Sequence, residues 1–215
     1  MNACKDGVPN GRLVGLTGGA GSGKTEAAKR FEAHGLPVIY ADRVGHELLA
    51  PGGEAVEAIA AVFGDVASPD GGIDRRKVGA LVFADERALA RLNAITHPLI
   101  YRNIARKARE LGRQGERLII VDAALIGEDG VRPKCLWGLI LIDTPREERV
   151  RRLMASRGWT HDEAARRIDA QTPPETKRVL ADWVLENTGP LEAFHHAVDA
   201  LAHELMHGSA QEREE

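Results

Sequence analysis

The segment Gly18-Gly19-Ala20-Gly21-Ser22-Gly23-Lys24-Thr25 constrains this chain more than any other. Glycines this dense reach backbone conformations that a Cβ resists, so the segment is a loop. Before it stands the short apolar run Arg12 to Thr17, and after it Thr25 to His34 carries Ala27, Ala28 and Phe31 at helical spacing. The order is strand, glycine loop, helix. Gly35 stands where a helix C-cap belongs, and Leu36 to Tyr40 follows as a second buried strand, with Pro37 tolerated at its start. Two strands around one helix require a parallel sheet, and therefore an α/β fold.

The loop satisfies G-x-x-x-x-G-K-[ST] in the strand-to-helix context that this pattern needs. Backbone N–H groups from Gly19, Ala20, Gly21, Ser22 and Gly23 converge on phosphate oxygens, and the helix start favours their negative charge. Lys24 reaches the β- and γ-phosphates, and the Thr25 hydroxyl is a ligand for Mg²⁺. The pattern specifies a nucleoside triphosphate. No Asn-Lys-x-Asp guanine-reading segment is present, which sets a small GTPase aside, and 215 residues are too few for a motor or a large ATPase. A small phosphotransferase is the expectation.

Composition narrows the partners. With 28% charged residues and a formal charge of -3, the chain is neither a disordered tail protein nor a general polyanion binder, so no nucleic acid is expected. No apolar run approaches the ~18 residues of a membrane span, and no membrane partner is expected. Met1 to Arg12 lack the apolar middle of a secretory signal, and only Cys4 and Cys135 are present. A reducing, cytoplasmic setting is the expectation, with the chain a monomer or weak oligomer.

From Arg43 to Leu111 the pattern turns helical, broken at Pro51-Gly52-Gly53 and Pro69-Asp70-Gly71-Gly72. An insertion of about 65 residues is too long for a plain loop. Strand signals resume at Arg117 to Asp122 and Leu136 to Asp143, each ending in an aspartate. Pro145 to Gln171 reads as a helical hairpin with seven arginines, its second helix started by a Thr160/Glu163 capping box and stopped by Pro173-Pro174. Trp183 to Leu185 is a last strand and Leu191 to Met206 a closing helix. The expected divisions are core at 1–44, a helical acceptor-binding insertion at 45–114, core at 115–148, a lid at 149–177, core at 178–207 and a disordered tail at 208–215.

Two features remain open on the residues alone. Asp42, just after the second strand, is suited either to take the proton of an attacking hydroxyl or to cap the helix from Arg43. The hairpin arginines suit a closing lid that stabilises transferring phosphate, while Glu147/Arg151 and Glu148/Arg152 also fit the i,i+4 pairs of a solvated helix.

The sequence resembles the dephospho-coenzyme A kinase family from about Leu13 to about Leu201. The resemblance rests on Gly15 to Thr25, Ala41-Asp42, Gly72-Ile73-Asp74-Arg75 and Leu92-Asn93-Ala94-Ile95-Thr96-His97-Pro98-Leu99-Ile100. Arg152-Leu153-Met154, Arg167-Ile168, Gln171, Lys177, Ala181-Asp182 and Asn187-x-Gly189 complete it. It implies a P-loop kinase-like three-layer α/β fold with a five-stranded parallel sheet, a helical substrate-binding insertion and a mobile helical lid. It further implies ATP as co-substrate, Mg²⁺, and dephospho-CoA as the acceptor phosphorylated at its ribose 3′-hydroxyl. By resemblance Asp42 looks like the catalytic base, with Lys24 and Arg152 on the ATP phosphates. Asn187 resembles part of the adenine site, Glu26 continues the nucleotide loop, and His97 and Asp122 fall on the acceptor side. Pro98 is expected to break the chain, turning the His97 imidazole into the cleft.

The sequence departs from the family pattern in three places: Tyr40-Ala41-Asp42 lacks the outer carboxylate, Asp122 to Glu128 lacks the usual proline and aromatic, and Glu26 replaces a small hydroxyl residue. The altered Asp122 to Glu128 segment keeps two alternatives beside the first reading: a P-loop kinase of another nucleoside or small alcohol, and a nucleotide-binding paralogue without transfer. His203-Glu204-Leu205-Met206-His207 matches H-E-x-x-H but has no downstream histidine, and His195-His196 is expected on a helix surface.

Overall fold

The computed structural model describes residues 11–128 and 130–208. Two compact units are present, one formed by Tyr40–Glu110 and the other by the described residues up to Ile39 together with those from Leu111 onward. Cys4 and the expected tail beyond Gly208 lie outside the described residues.

The larger unit is built on a parallel sheet of five strands: β1 (Arg12–Thr17), β2 (Val38–Tyr40), β3 (Leu118–Asp122), β4 (Gly138–Asp143) and β5 (Trp183–Glu186), in the order β2-β3-β1-β4-β5. β1 pairs with β3 (Gly15 opposite Val121) and with β4 (Gly15 opposite Leu139), and β4 pairs with β5. Every residue of β3 and the first five of β4 are buried, as strands covered on both faces require. α1 (Lys24–Ala33) buries Ala27, Ala28 and Phe31 and packs beside α9 (Leu191–His207), which buries Phe194, Val198, Leu201, Ala202 and Leu205. This 3.6-residue spacing lets one helix face enter the core while the other stays wet.

α6 (Arg146–Arg157) and α7 (His161–Asp169) form the arginine-rich hairpin, closed on an apolar seam of Val150, Leu153, Ala164, Ala165 and Ile168. Gly158, with φ 67°, ends α6, and the Thr160/Glu163 capping box starts α7 as its spacing predicts. Pro173-Pro174 stops α7 but also opens α8 (Pro174–Arg178), since proline at a first helical position loses no hydrogen bond that the helix would make. The second strand is shorter than expected, Val38–Tyr40 instead of Leu36 to Tyr40.

The smaller unit is helical: α2 (Ala41–Leu49), α3 (Val56–Phe63), α4 (Arg75–Ala84) and most of α5 (Glu86–Arg113). Leu48, Ala55, Ile59, Val66, Ile73 and Val78 form its buried cluster, with Leu92, Ile95 and Leu99 of α5 against it. Asp74 caps α4 by accepting from the N–H groups of Arg76 and Lys77.

Two local expectations are corrected here. α5 runs through Pro98 without a break. Proline removes one N–H from the helix ladder, and the apolar stripe that α5 buries outweighs that loss. Asp42 is not a helix cap either: α2 begins at Ala41 with Tyr40 as its N-cap, which places Asp42 in the first turn with an exposed side chain.

Candidate active site

The glycine loop joins the end of β1 to the start of α1, and its last glycine, Gly23, is the N-cap of α1 with φ 96°. That left-handed conformation is costly for any residue with a Cβ. A Cβ there would also lie 2.3 Å from Nδ2 of Asn187, so glycine is required twice over. At Gly19 a Cβ would meet the Arg149 guanidinium, with Nη2 at 2.1 Å, so a side chain there would displace it.

Long-range contacts hold the loop from outside. Asn187 Nδ2 and Thr144 Oγ1 donate to the Ser22 carbonyl at 2.8 and 2.9 Å, both in buried surroundings. Arg152 Nη1 reaches the same carbonyl at 3.4 Å. Gln171 Oε1 accepts from the Ala20 N–H at 2.9 Å. Ser22 itself is buried, and among the described residues its Oγ has no hydrogen-bond partner.

Lys24, the first residue of α1, forms an ion pair with Asp122 at the end of β3. The carboxylate is 6% exposed and the lysine side chain 13%. Thr25, the next residue, is exposed. Glu26 makes a contact that local sequence does not reveal: its Oε1 lies 2.9 Å from His195 Nε2 on α9. His195 is therefore half-buried and partnered rather than a free surface residue, whereas His196 is exposed.

The hairpin arginines divide by partner. Arg146 pairs with Asp169 and Glu147, and Arg151 pairs with Glu148, so the Glu147/Arg151 pairing expected from spacing does not form. Arg152 donates Nε to Glu148 at 2.9 Å and Nη2 to both oxygens of Asn187 at 3.2 Å. Burial lowers the Arg152 pKa from its ordinary value. Arg149 is the buried one. Arg149, Gln171, Thr172 and Thr188 line a groove of about 640 Å³ at the ends of β4 and β5.

Asp122 to Glu128, the segment that departs from the family pattern, is pinned by side chains from distant sequence. Thr17 Oγ1 donates to the carbonyls of Ala124 and Ile126, and Lys177 Nζ donates to Ala124 O at 2.9 Å and Glu128 Oε1 at 2.5 Å. Thr172 adds its N–H and hydroxyl to Glu128. Burial pushes the Glu128 carboxyl up, but the bonds from Lys177 and Thr172 outweigh it and hold the group below its ordinary value.

Gly19 to Glu26, Asp122, Arg152 and Asn187 thus belong to the larger unit, and Asp42 and His97 to the helical one. His97 is half-buried on α5 with its ring edge-on to Tyr101, 6.3 Å between centroids, and His46 is exposed on α2. The H-E-x-x-H pair lies on α9: His203 and His207 stack 6.0 Å apart, and His203 meets His34 edge-on. Among the described residues, no group of three or more His, Cys, Asp or Glu side chains is arranged to hold a metal. Sequence reading assigned no role to Arg149, Thr144, Lys177 or Glu128. Arg149 was hidden among six similar neighbours, and the polar ends of the other three find partners more than 40 residues away.

The comparisons with known proteins agree with this architecture. The family model described as dephospho-CoA kinase matches residues 12–193. A dephospho-CoA kinase from Corynebacterium glutamicum is 39% identical over 194 residues, which span 90% of this chain and 96% of that protein. A crystal structure from Thermus thermophilus, 36% identical, superposes with a TM-score of 0.76 over 91% of this chain and 98% of the other. The dephospho-CoA kinase of Campylobacter jejuni, 25% identical with the same coverages, gives 0.63. The match runs from the first strand into the last helix and takes in both the nucleotide loop and the arginine hairpin, so the chain belongs to the dephospho-CoA kinase family.

Proposed function

We propose that this chain transfers the γ-phosphoryl group of ATP to the ribose 3′-hydroxyl of dephospho-CoA, giving coenzyme A, with Asp42 receiving or directing the hydroxyl proton. The single observation that supports it most is the unaltered Lys24-Thr25 end of the glycine loop at the start of α1, in a chain of this family. The N–H groups of Gly19 to Thr25 and the helix start hold the triphosphate, and Lys24 follows the charge that develops on the transferring group.

A loose phosphoryl-transfer transition state leaves little covalent work for the protein, so catalysis is positioning and charge stabilisation. Asp42 and His97 act from the helical unit, and the insertion at residues 45–114 holds the acceptor. Asp122 acts on the acceptor side of the larger unit. Residues 149–177 form a lid, with Arg152 on the ATP phosphates and Asn187 beside the adenine.

The donor chemistry suits Mg²⁺: Thr25 is an exposed residue at the second position of α1 whose hydroxyl oxygen is a hard ligand of the kind this ion takes. When bound, the ion neutralises phosphate charge. No helix among the described residues is long and apolar enough to cross a membrane, and the setting we assign is the cytoplasm, with the chain a monomer or weak oligomer.

The test is ADP release by the purified protein with Mg-ATP and, in separate reactions, dephospho-CoA, nucleosides and nucleoside monophosphates. Release that depends on dephospho-CoA and greatly exceeds the others is the expected result. Faster turnover of another acceptor, or none with any, would overturn the reading.

A further inference from the structure

Arg149 is a buried guanidinium without a carboxylate. It donates Nε to the Ala20 carbonyl at 2.8 Å and Nη2 to Gln171 Oε1 at 2.6 Å, and among the described residues no carboxylate stands within ion-pair distance of it. Asp143, Asp169 and Glu128 act on it only from farther away, and burial lowers its pKa. Arg146, Arg151 and Arg152 each have an acidic partner. A buried cation left unpaired is expensive, and proteins that keep one use it to meet an anion.

Its position says which anion. The guanidinium lies directly over Gly19, close enough that any side chain there would clash. Gln171 Oε1 receives two donors at once, the Ala20 N–H of the nucleotide loop at 2.9 Å and Arg149 Nη2 at 2.6 Å. One oxygen acceptor at the meeting of a loop amide and a guanidinium is the arrangement a phosphate oxygen takes. Arg149 and Gln171 both line the 640 Å³ groove, so a ligand in the groove can reach these two side chains.

We propose that Arg149 and the Ala20 N–H form the binding point for the terminal phosphate of the triphosphate, making Arg149 a catalytic residue in addition to Arg152, and that Gln171 Oε1 competes for that point. Gln171 is then a positioning residue: it keeps Arg149 over Gly19 and gives up both donors to a phosphate oxygen. The inference rests on the ATP reading above.

The experiment compares dissociation constants for ADP and a non-hydrolysable ATP analogue, by calorimetry, in wild type, Arg149→Gln, Arg149→Lys and Gln171→Met. Loss of a charge-assisted contact to the terminal phosphate weakens the analogue by about tenfold or more in Arg149→Gln and leaves ADP within about twofold. Arg149→Lys keeps the charge and falls between. Gln171→Met removes the competing oxygen and tightens the analogue severalfold without changing ADP.

Equal weakening of both nucleotides in the Arg149 variants would overturn the proposal, because that is the signature of a purely structural arginine. So would an effect confined to dephospho-CoA or inorganic diphosphate binding, which would place Arg149 on the acceptor. Weaker analogue binding in Gln171→Met would overturn the competing role. Wild-type protein that binds the analogue and turns over dephospho-CoA while Arg149→Gln keeps the wild-type ratio sinks this inference alone. Failure of the wild type in both sinks the ATP reading instead.

Discussion

Lys24 of the nucleotide loop and Asp122 at the end of β3 are joined as an ion pair, with the carboxylate 6% exposed. β3 lies next to β1 in the sheet, so the pair ties the residue after the loop to the strand beside the one before it. Two elements about a hundred residues apart in sequence thereby share one charge balance. Removing either member leaves the other without its charge partner in a poorly hydrated place.

The variant Lys24→Ala is therefore expected to lose on the order of a hundredfold or more in turnover, through the missing phosphate contact. It should also lose on the order of 1–3 kcal/mol of stability, because the buried Asp122 carboxylate loses its charge partner. Lys24→Met/Asp122→Asn should recover most of the stability and none of the turnover. Denaturant melts and the coupled ADP assay on the three proteins separate the effects. Full activity in Lys24→Ala contradicts the role.

Asp42 is exposed in the first turn of α2 and caps nothing, so Asp42→Asn removes no structural bond seen here. Turnover with dephospho-CoA should fall by about a hundredfold while the melting temperature stays within a degree or two. Near-normal turnover would remove Asp42 from the mechanism.

Lys177 is 3% exposed at its side chain and fixes both Ala124 O and Glu128. Lys177→Met should free the Ala124 to Glu128 segment and raise KM for the acceptor severalfold, with KM for ATP changing much less. Steady-state kinetics with each substrate varied in turn measure this. Equal rises in both constants would argue for general loosening.

Asp199 on α9 accepts from Arg30 Nε and Nη2 at 2.5 and 2.6 Å and lies 2.7 Å from His34. The bonds from Arg30, opposed by burial and helped by His34, hold its carboxyl far below the usual range. A carboxyl depressed on folding adds stability that is fully present above its unfolded pKa of about 3.9 and is lost as pH falls through the folded value. Asp199→Asn should thus melt a few degrees below wild type at pH 7, and the gap should begin to narrow below about pH 4 and go on closing as pH falls toward the folded value. A gap independent of pH would mean that the carboxylate charge contributes nothing.

Much of the fold was legible because local pattern encodes it. The apolar runs Arg117 to Asp122 and Leu136 to Asp143 read as strands and form β3 and β4 one and two residues shorter at their starts, and the Thr160/Glu163 spacing announced the start of α7. Pro98 misled because local backbone chemistry argues for a break, while the packing of Ile95 and Leu99 in the helical unit keeps α5 whole. Likewise Asp42 read as a possible cap until α2 was found to start one residue before it.

The glycine loop with Lys24 and Thr25, and the strand and helix on either side of it, were set by residues close together in the chain. Spacing within one element is a property of sequence alone. Which arginine lies over Gly19, what neutralises Lys24, what ties Glu26 to His195 and what holds Glu128 were decided by tertiary structure. Each of those contacts joins side chains tens to more than a hundred residues apart, and only the folded chain brings their charges within a few ångströms, where interaction energy outweighs the loss of hydration.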